Sequence, residues 1–401
     1  MKVCMVAYSF YDEDNRVRRY AEALAKRGDH VEALSLRKEG QPKEEVINGV
    51  HVYRIQVRLV NEKGKFSYLR RLILFFVRSM LFLTRNQIAG RYDLIHVHSV
   101  PDFEVFSALV PRLTGTKVIL DIHDLVPEFY SSKFSHSKKT FGFRALVAVE
   151  RLSSAFSNHV IAANHIWQKR LEERSVTADR CTTFLNYPDT GIFQPRGRNR
   201  SDGKFIILYP GTLNYHQGLD IAIRAFARIE KQVPEAEFHI YGAGEQVPLL
   251  QSLITELGLG EKVFLRSKLP IPKIAALMEN ADLGVVPKRN NNFGNEAFST
   301  KIFEFMAVGT PVIVPDTLID TFYFNDSVVK FFHANDDQSL ADAMLLLIQN
   351  KDLRDSLVKT AAEFVQKYTW DANQGGYLQL VDSLVNGSNS ASKTSPAPVP
   401  H

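Results

Sequence analysis

The 401-residue chain is 45% apolar and 23% charged, which excludes a wholly disordered or fibrous protein, and it is too long for one ordinary domain. Its two cysteines, Cys4 and Cys181, are too few and too far apart for a disulfide framework or a CxxC metal knuckle, and they suit a reducing compartment. Forty-nine basic and 44 acidic residues leave a net charge of +5, mild for this length, so the location of the charge says more than its total.

The first apolar run, Lys2–Ala7, is short enough to read as a buried strand rather than a signal peptide, so a cytoplasmic chain is expected. A helical pattern follows at Arg16–Arg27, then strand candidates at Val31–Leu36 and Val50–Ile55. Between Arg58 and Arg91 stand eight basic residues against Glu62 alone, a segment charge of +7 that leaves about −2 for the rest. Inside this segment the run LRRLILFFVRSMLFLTR (69–85) is interrupted by Arg78, and neither half reaches the ~18–20 residues of a membrane span. Two readings stand for residues 65–91. One is a basic, apolar helix lying peripherally on an anionic membrane, at its inner face; the other is a helix packed on its own domain with its arginines extended outward.

Strand candidates at Leu94–His98, Lys117–Ile122 and His159–Ala162 complete a first block, and the polar stretch after Pro195 reads as a linker. Strands resume at Phe205–Tyr209, Phe238–Tyr241, Val263–Leu265, Leu283–Val286, Pro311–Val314 and Val328–Phe331, with helical stretches such as Leu219–Gln232 and Val247–Leu257 between them. Strand–helix alternation implies parallel sheets covered by helices, with sites at the carboxyl ends of the strands. The expected architecture is α/β: two Rossmann-like parallel-sheet domains, 1–198 and 199–370, facing across a cleft. A helix at 371–386 crosses back to the first domain, and a Ser/Pro-rich disordered tail occupies 387–401.

The chemistry concentrates in FGNEAFSTKIFEFMAVGTPVIV, Phe293 to Val314. Ser299 is placed to cap a short helix from Thr300, and Gly309 to stop it in a left-handed conformation. Glu296 then lies in the loop before the helix and Glu304 inside it. Free N–H groups at the helix start suit an anion such as a diphosphate, and Lys301 places a cation where the helix dipole opposes one unless a phosphate is bound. A solvated helix with two unrelated glutamates fits the spacing equally well. In the first half, His96 and His98 share one face of a strand and could join His123 as metal ligands, or serve as a core and a cleft histidine. Asp12-Glu13-Asp14 spells D-x-D ahead of a helix, where capping is the simpler use. The aromatic residues read as core, so no nucleic-acid partner is expected.

Glu296 and Glu304, with seven residues between them, followed by Ala307 and Gly309-Thr310-Pro311, resemble the E-x7-E signature of retaining GT-B glycosyltransferases of the group-1, or family-4, class. The resemblance extends through NRVRRYAEALAKRGDHVEAL (15–34), DLIHVHS (93–99), FLNYPDTGIFQP (184–195), YPGTLNYHQGLDIAIRAF (209–226), HIYGAGEQVPLL (239–250) and NADLGVVPK (280–288), so it spans roughly residues 2–385. It implies transfer of a sugar from a nucleoside diphosphate sugar to a hydroxyl of a glycan or lipid-linked acceptor, with no metal cofactor. Glu304 would accept from two ribose hydroxyls and Glu296 would steady the sugar. Backbone donors near Gly211, Gly242, Gly244 and Phe298-Ser299-Thr300, with Lys301, would hold the diphosphate. His123 would face the donor sugar, while His98, Asn15 and Arg16 would line the acceptor side. The family usually has an Arg and a Lys where this chain has Thr212 and Gln217, so Lys301, His216, Lys288 or Arg289 would have to replace two cations. A same-fold epimerase or phosphorylase, or a non-catalytic sugar-nucleotide-binding subunit, is the alternative.

Overall fold

The computed structural model describes residues 1–58, 65–134, 140–291 and 293–387. From residue 388 on, the expected tail lies outside them, as do Glu62 and Lys63 of the basic segment. The chain divides into two units: Met1–Asn186 with the segment from Asn373, and Tyr187–Ala372.

In the first unit eight strands form one sheet in the order β3-β4-β2-β1-β5-β6-β7-β8. They are β1 (Lys2–Ala7), β2 (His30–Arg37), β3 (Glu44–Ile47), β4 (Val50–Val57), β5 (Leu94–His98), β6 (Lys117–Ile122), β7 (His159–Ala162) and β8 (Cys181–Thr183). All neighbours are parallel except β3 and β4. β1, β5, β6 and β7 are buried almost throughout, as strands covered on both faces must be. Strand order reverses between β1 and β5, where Ala7 pairs with His98. That is where parallel sheets present their ligand sites.

The second unit carries six parallel strands in the order β11-β10-β9-β12-β13-β14. They are β9 (Phe205–Thr212), β10 (Ala236–Ala243), β11 (Val263–Arg266), β12 (Leu283–Val285), β13 (Val312–Pro315) and β14 (Lys330–Phe332). The helix Leu219–Ile229 lays Leu219, Ile223 and Phe226 on one face at i, i+4, i+7 spacing and packs them, with Phe238, Ile240 and Met344, into one core. The boundary falls at Asn186, not at residue 198. Tyr187 and Phe193 are buried, the Arg196 N–H donates to Glu279, and Arg198 pairs with Asp282 at 2.7 Å. The polar stretch taken for a linker is fastened to the second unit instead.

The basic segment forms one helix, Lys65–Ala89, long and apolar enough by length and composition to cross a membrane. The interruption at Arg78 therefore does not break it. Leu72, Phe75, Ser79, Leu83 and Gln87 form a buried inner face, and Phe75 meets Tyr8 edge to face at 5.2 Å. Leu69, Ile73, Val77, Leu81 and Ile88 stand exposed on the outer face.

A helical turn at Asp102–Ala108 packs against this helix and buries Glu104, whose carboxyl is pushed up to about 8 by desolvation. The folded state thus holds a proton that the unfolded chain releases near 4.5, so stability should fall as pH rises from about 4.5 through 8. Glu104→Gln, which copies the protonated form, should flatten that decline in denaturant titrations run across this range. Parallel declines in variant and wild type would show that Glu104 is ionised in the fold.

Candidate functional site

In the second unit the end of β9 turns at Gly211, whose φ of +149° suits glycine. A β-carbon there would lie 2.3 Å from Lys301 Cε and 3.0 Å from its Nζ, so the lysine runs directly over the glycine. Lys301 stands in the first turn of the helix Thr300–Ala307. Its ammonium sits 5.3 Å from the Tyr209 ring centre and makes no hydrogen bond or ion pair among the described residues. Burial lowers its pKa, opposed by the negative charge of Glu304. Glu304, one turn further on and half-buried, shares that helix face. Ser299 occupies the N-cap position, yet its hydroxyl caps nothing. It is buried and without a partner among the described residues. Phe298 anchors the turn by packing its ring on Phe303 and Tyr323, each at 5.0 Å. Glu296 is buried just before the turn.

Gly242 and Gly244 have a packing role. β-Carbons on them would meet the Gly211 carbonyl oxygen at 1.9 Å and the Leu213 carbonyl oxygen at 2.3 Å. They let the β10 loop close against the β9 loop and so shape the ground beneath Lys301. Thr212 is exposed at the end of β9, and Gln217 Oε1 lies 2.9 Å from the Tyr209 hydroxyl.

Of the four candidate replacement cations, two are already committed. Lys288 donates to the Ala297 carbonyl at 2.9 Å and pairs with Asp320 at 2.8 Å, both side chains buried. Desolvation pulls Lys288 down and pushes Asp320 up; the contact between them opposes both shifts, and a bond from the Thr317 hydroxyl further opposes that of Asp320. Arg289 is held by Asp220 at 2.5 Å and by the Tyr215 carbonyl. His216 packs edge to face on Phe293, and burial, then Lys301, lower its pKa, so it is neutral near pH 7. Lys301 is the cation left for an anion.

In the first unit Asp121, at the penultimate position of β6, is the hub. Arg16 grips both its oxygens at 2.8 and 2.7 Å, while His98 Nδ1 and His123 Nε2 each lie 3.1 Å from Oδ2. Burial pushes the carboxyl up, but Arg16 and His123 outweigh it and hold Asp121 well below the ordinary carboxylate range. An ionised Asp121 accepts from both imidazoles. His98 Nε2 is then left as a lone-pair acceptor suited to a hydroxyl donor. Burial lowers His96 and His98, so both are neutral, and His96 Nδ1 meets the Tyr377 hydroxyl at 3.0 Å.

Arg16 was expected on the acceptor side. It is buried, with its third bond to the Phe184 carbonyl at 2.8 Å, and therefore positions Asp121 instead of meeting an acceptor. Asn15, half-buried, opens the same helix. His96, His98 and Asp121 lie close enough for a metal, but a guanidinium already covers both carboxylate oxygens, so the set fits a hydrogen-bond network better. In the D-x-D stretch Asp14 caps the helix Asn15–Arg27 through the Val17 N–H, Asp12 pairs with Arg54 and Glu13 with Lys38.

Two family matches follow the two units. The Glycosyl transferase 4-like domain matches residues 14–186, and Glycosyl transferases group 1 matches residues 193–364. The chain belongs to the group 1 glycosyltransferases. An uncharacterized glycosyltransferase of Methanocaldococcus jannaschii is 25% identical over 370 residues, covering 88% of this chain and 89% of the relative. A D-inositol 3-phosphate glycosyltransferase of Thermomonospora curvata is 23% identical over 385 residues, covering 90% and 88%. Among solved structures, sucrose-phosphate synthase from Thermosynechococcus elongatus superposes with a TM-score of 0.80 at 18% identity, covering 97% of this chain and all of that one. Anabaena HepE in complex with UDP gives 0.68 at 17%, covering 95% and 99%. The fold is thus that of the GT-B glycosyltransferases, and the protein is a transferase.

For this glycosyltransferase, motif reading missed Asp121 and Tyr377. A lone acid inside the apolar strand VILDIH, two residues from His123 and so on the same face, was a usable signal for Asp121. Tyr377 reaches His96 across 281 residues, and no local pattern announces that.

Proposed function

We propose that the chain is a retaining glycosyltransferase that takes a nucleoside diphosphate sugar as donor and a hydroxyl of a glycan or lipid-linked molecule as acceptor. It works at the inner face of an anionic membrane, in polysaccharide or glycoconjugate synthesis. The observation that carries this reading is Lys301: a half-buried ammonium that makes no hydrogen bond or ion pair among the described residues, laid over Gly211 at a helix start, with Glu304 one turn away. A diphosphate between the lysine and the helix N–H groups supplies the missing charge. Glu304 then accepts from the two ribose hydroxyls, and Glu296 from hydroxyls of the sugar. His123 is assigned to the donor sugar, with Asp121 fixing its tautomer, and His98 to the acceptor side. The sugar–phosphate bond breaks, the acceptor oxygen bonds the anomeric carbon on the same face, and the hydroxyl proton passes to the departing phosphate oxygen. That HepE has been solved with UDP and with UDP-glucose supports a donor of this class.

The expected result is a rise in melting temperature with one of UDP, GDP or ADP, because a ligand of the folded state stabilises by mass action. The shift and sugar transfer should both persist in EDTA, since Lys301 and the helix start supply the positive field. A shift seen only with added magnesium or manganese would remove the metal-free reading, and none with any nucleotide would remove the donor.

A further inference from the structure

The first unit also has a cavity of about 900 Å³, away from the Asp121 network, where the edge of the sheet meets the helix Lys65–Ala89. Six cations line it: Arg37, Lys43, Arg54, Arg70, Arg71 and Arg78. One acid, Glu44, shares the lining. Part of this charge is spoken for, since Arg54 pairs with Asp12 and Glu45 and Arg78 donates to the Ile55 carbonyl at 3.0 Å. Arg54 is nevertheless buried, and its Nε is a donor without a partner among the described residues. Like charges brought together from two strands, a loop and a helix repel one another unless an anion joins them, and five of the six are arginines, whose planar forks match phosphate oxygens.

The helix that supplies Arg70, Arg71 and Arg78 also carries the exposed apolar residues Leu69, Ile73, Val77 and Leu81. These four follow one another at four-residue spacing, a stripe along the helix. Arg78 and Arg85 fall beside the stripe at 100° per residue. An arginine-lined hollow at the margin of an apolar stripe fits a molecule with an anionic head and an aliphatic tail.

We propose that this cavity is a second anion site, distinct from the nucleotide's, and that it takes a terminal phosphate or diphosphate group carried by a lipid whose chains lie against the exposed stripe. The lipid source rests on the membrane reading above; the anion site does not. The full chain is sedimented with phosphatidylcholine vesicles doped to equal zeta potential with either phosphatidic acid, a phosphomonoester, or phosphatidylglycerol, a phosphodiester. At physiological salt, phosphatidic acid vesicles should bind at least fivefold more tightly, and millimolar inorganic pyrophosphate should remove that margin. Arg70→Ala, an exposed change, should reduce the preference, and Arg70→Ala with Arg78→Ala should abolish it. Arg85→Ala, outside the cavity, should weaken both vesicle types alike. Equal binding of the two vesicle types would overturn the site while leaving the membrane reading standing. Pyrophosphate binding by calorimetry without any vesicle binding would overturn the lipid source. A preference kept by the double variant would place the selectivity elsewhere and end the proposal.

Discussion

Glu304→Ala should weaken nucleotide binding tenfold or more, because two ribose hydroxyls lose a charged acceptor worth about 1.5–3 kcal/mol. The residue is half-buried on the exposed side of the helix Thr300–Ala307, so its loss leaves no large cavity and the fold should hold. Glu296→Ala should behave differently, lowering turnover more than nucleotide affinity, since its partner is the sugar and its charge matters most as positive charge develops at the anomeric carbon. The measurement is nucleotide Kd by calorimetry beside kcat for each variant. An unchanged Kd in Glu304→Ala would take that residue out of the site. Matching profiles in the two variants would merge the roles given to them.

Lys288→Met should destabilise the second unit by about 3–5 kcal/mol, the usual consequence of stranding one member of a buried ion pair. Asp320 would be left in the core with only the Thr317 hydroxyl beside it. Its carboxyl would move further up, so the deficit should shrink as pH falls and the group takes a proton. Lys288→Met with Asp320→Asn should recover much of the loss, because no uncompensated charge remains. The change would also free the Ala297 carbonyl, so the loop bearing Glu296 should loosen. Denaturant titration at two pH values decides the matter. A single variant within about 1 kcal/mol of wild type would mean the pair adds little.

The strands of the sheet centres were legible because burial on both faces leaves unbroken apolar runs: β1, β5, β6 and β7 match their expected bounds. β3 was not, since EEVI at an exposed antiparallel edge carries no apolar pattern and is held by its pairing with β4. The helix start at Thr300 and the stop at Gly309 were readable from capping chemistry, although the Ser299 hydroxyl does not make the bond expected of it. What local pattern does not disclose is commitment. Lys288, Arg289 and Arg16 looked as available as Lys301, and only distant partners, Asp320, Asp220 and Asp121, remove them from the candidates.

The return of the last helix to the first unit sets an order of assembly. Residues Tyr187–Ala372 are synthesised, and can fold, before Tyr377 leaves the ribosome to meet Tyr20 at 4.3 Å and His96 at 3.0 Å. Until then the wall of the hub around Asp121 stands open, and the nascent first unit waits with a wet histidine pair where a dry one will be. Translation thus finishes the second unit first. The first unit is complete only when the helix that carries Tyr377 closes over His96.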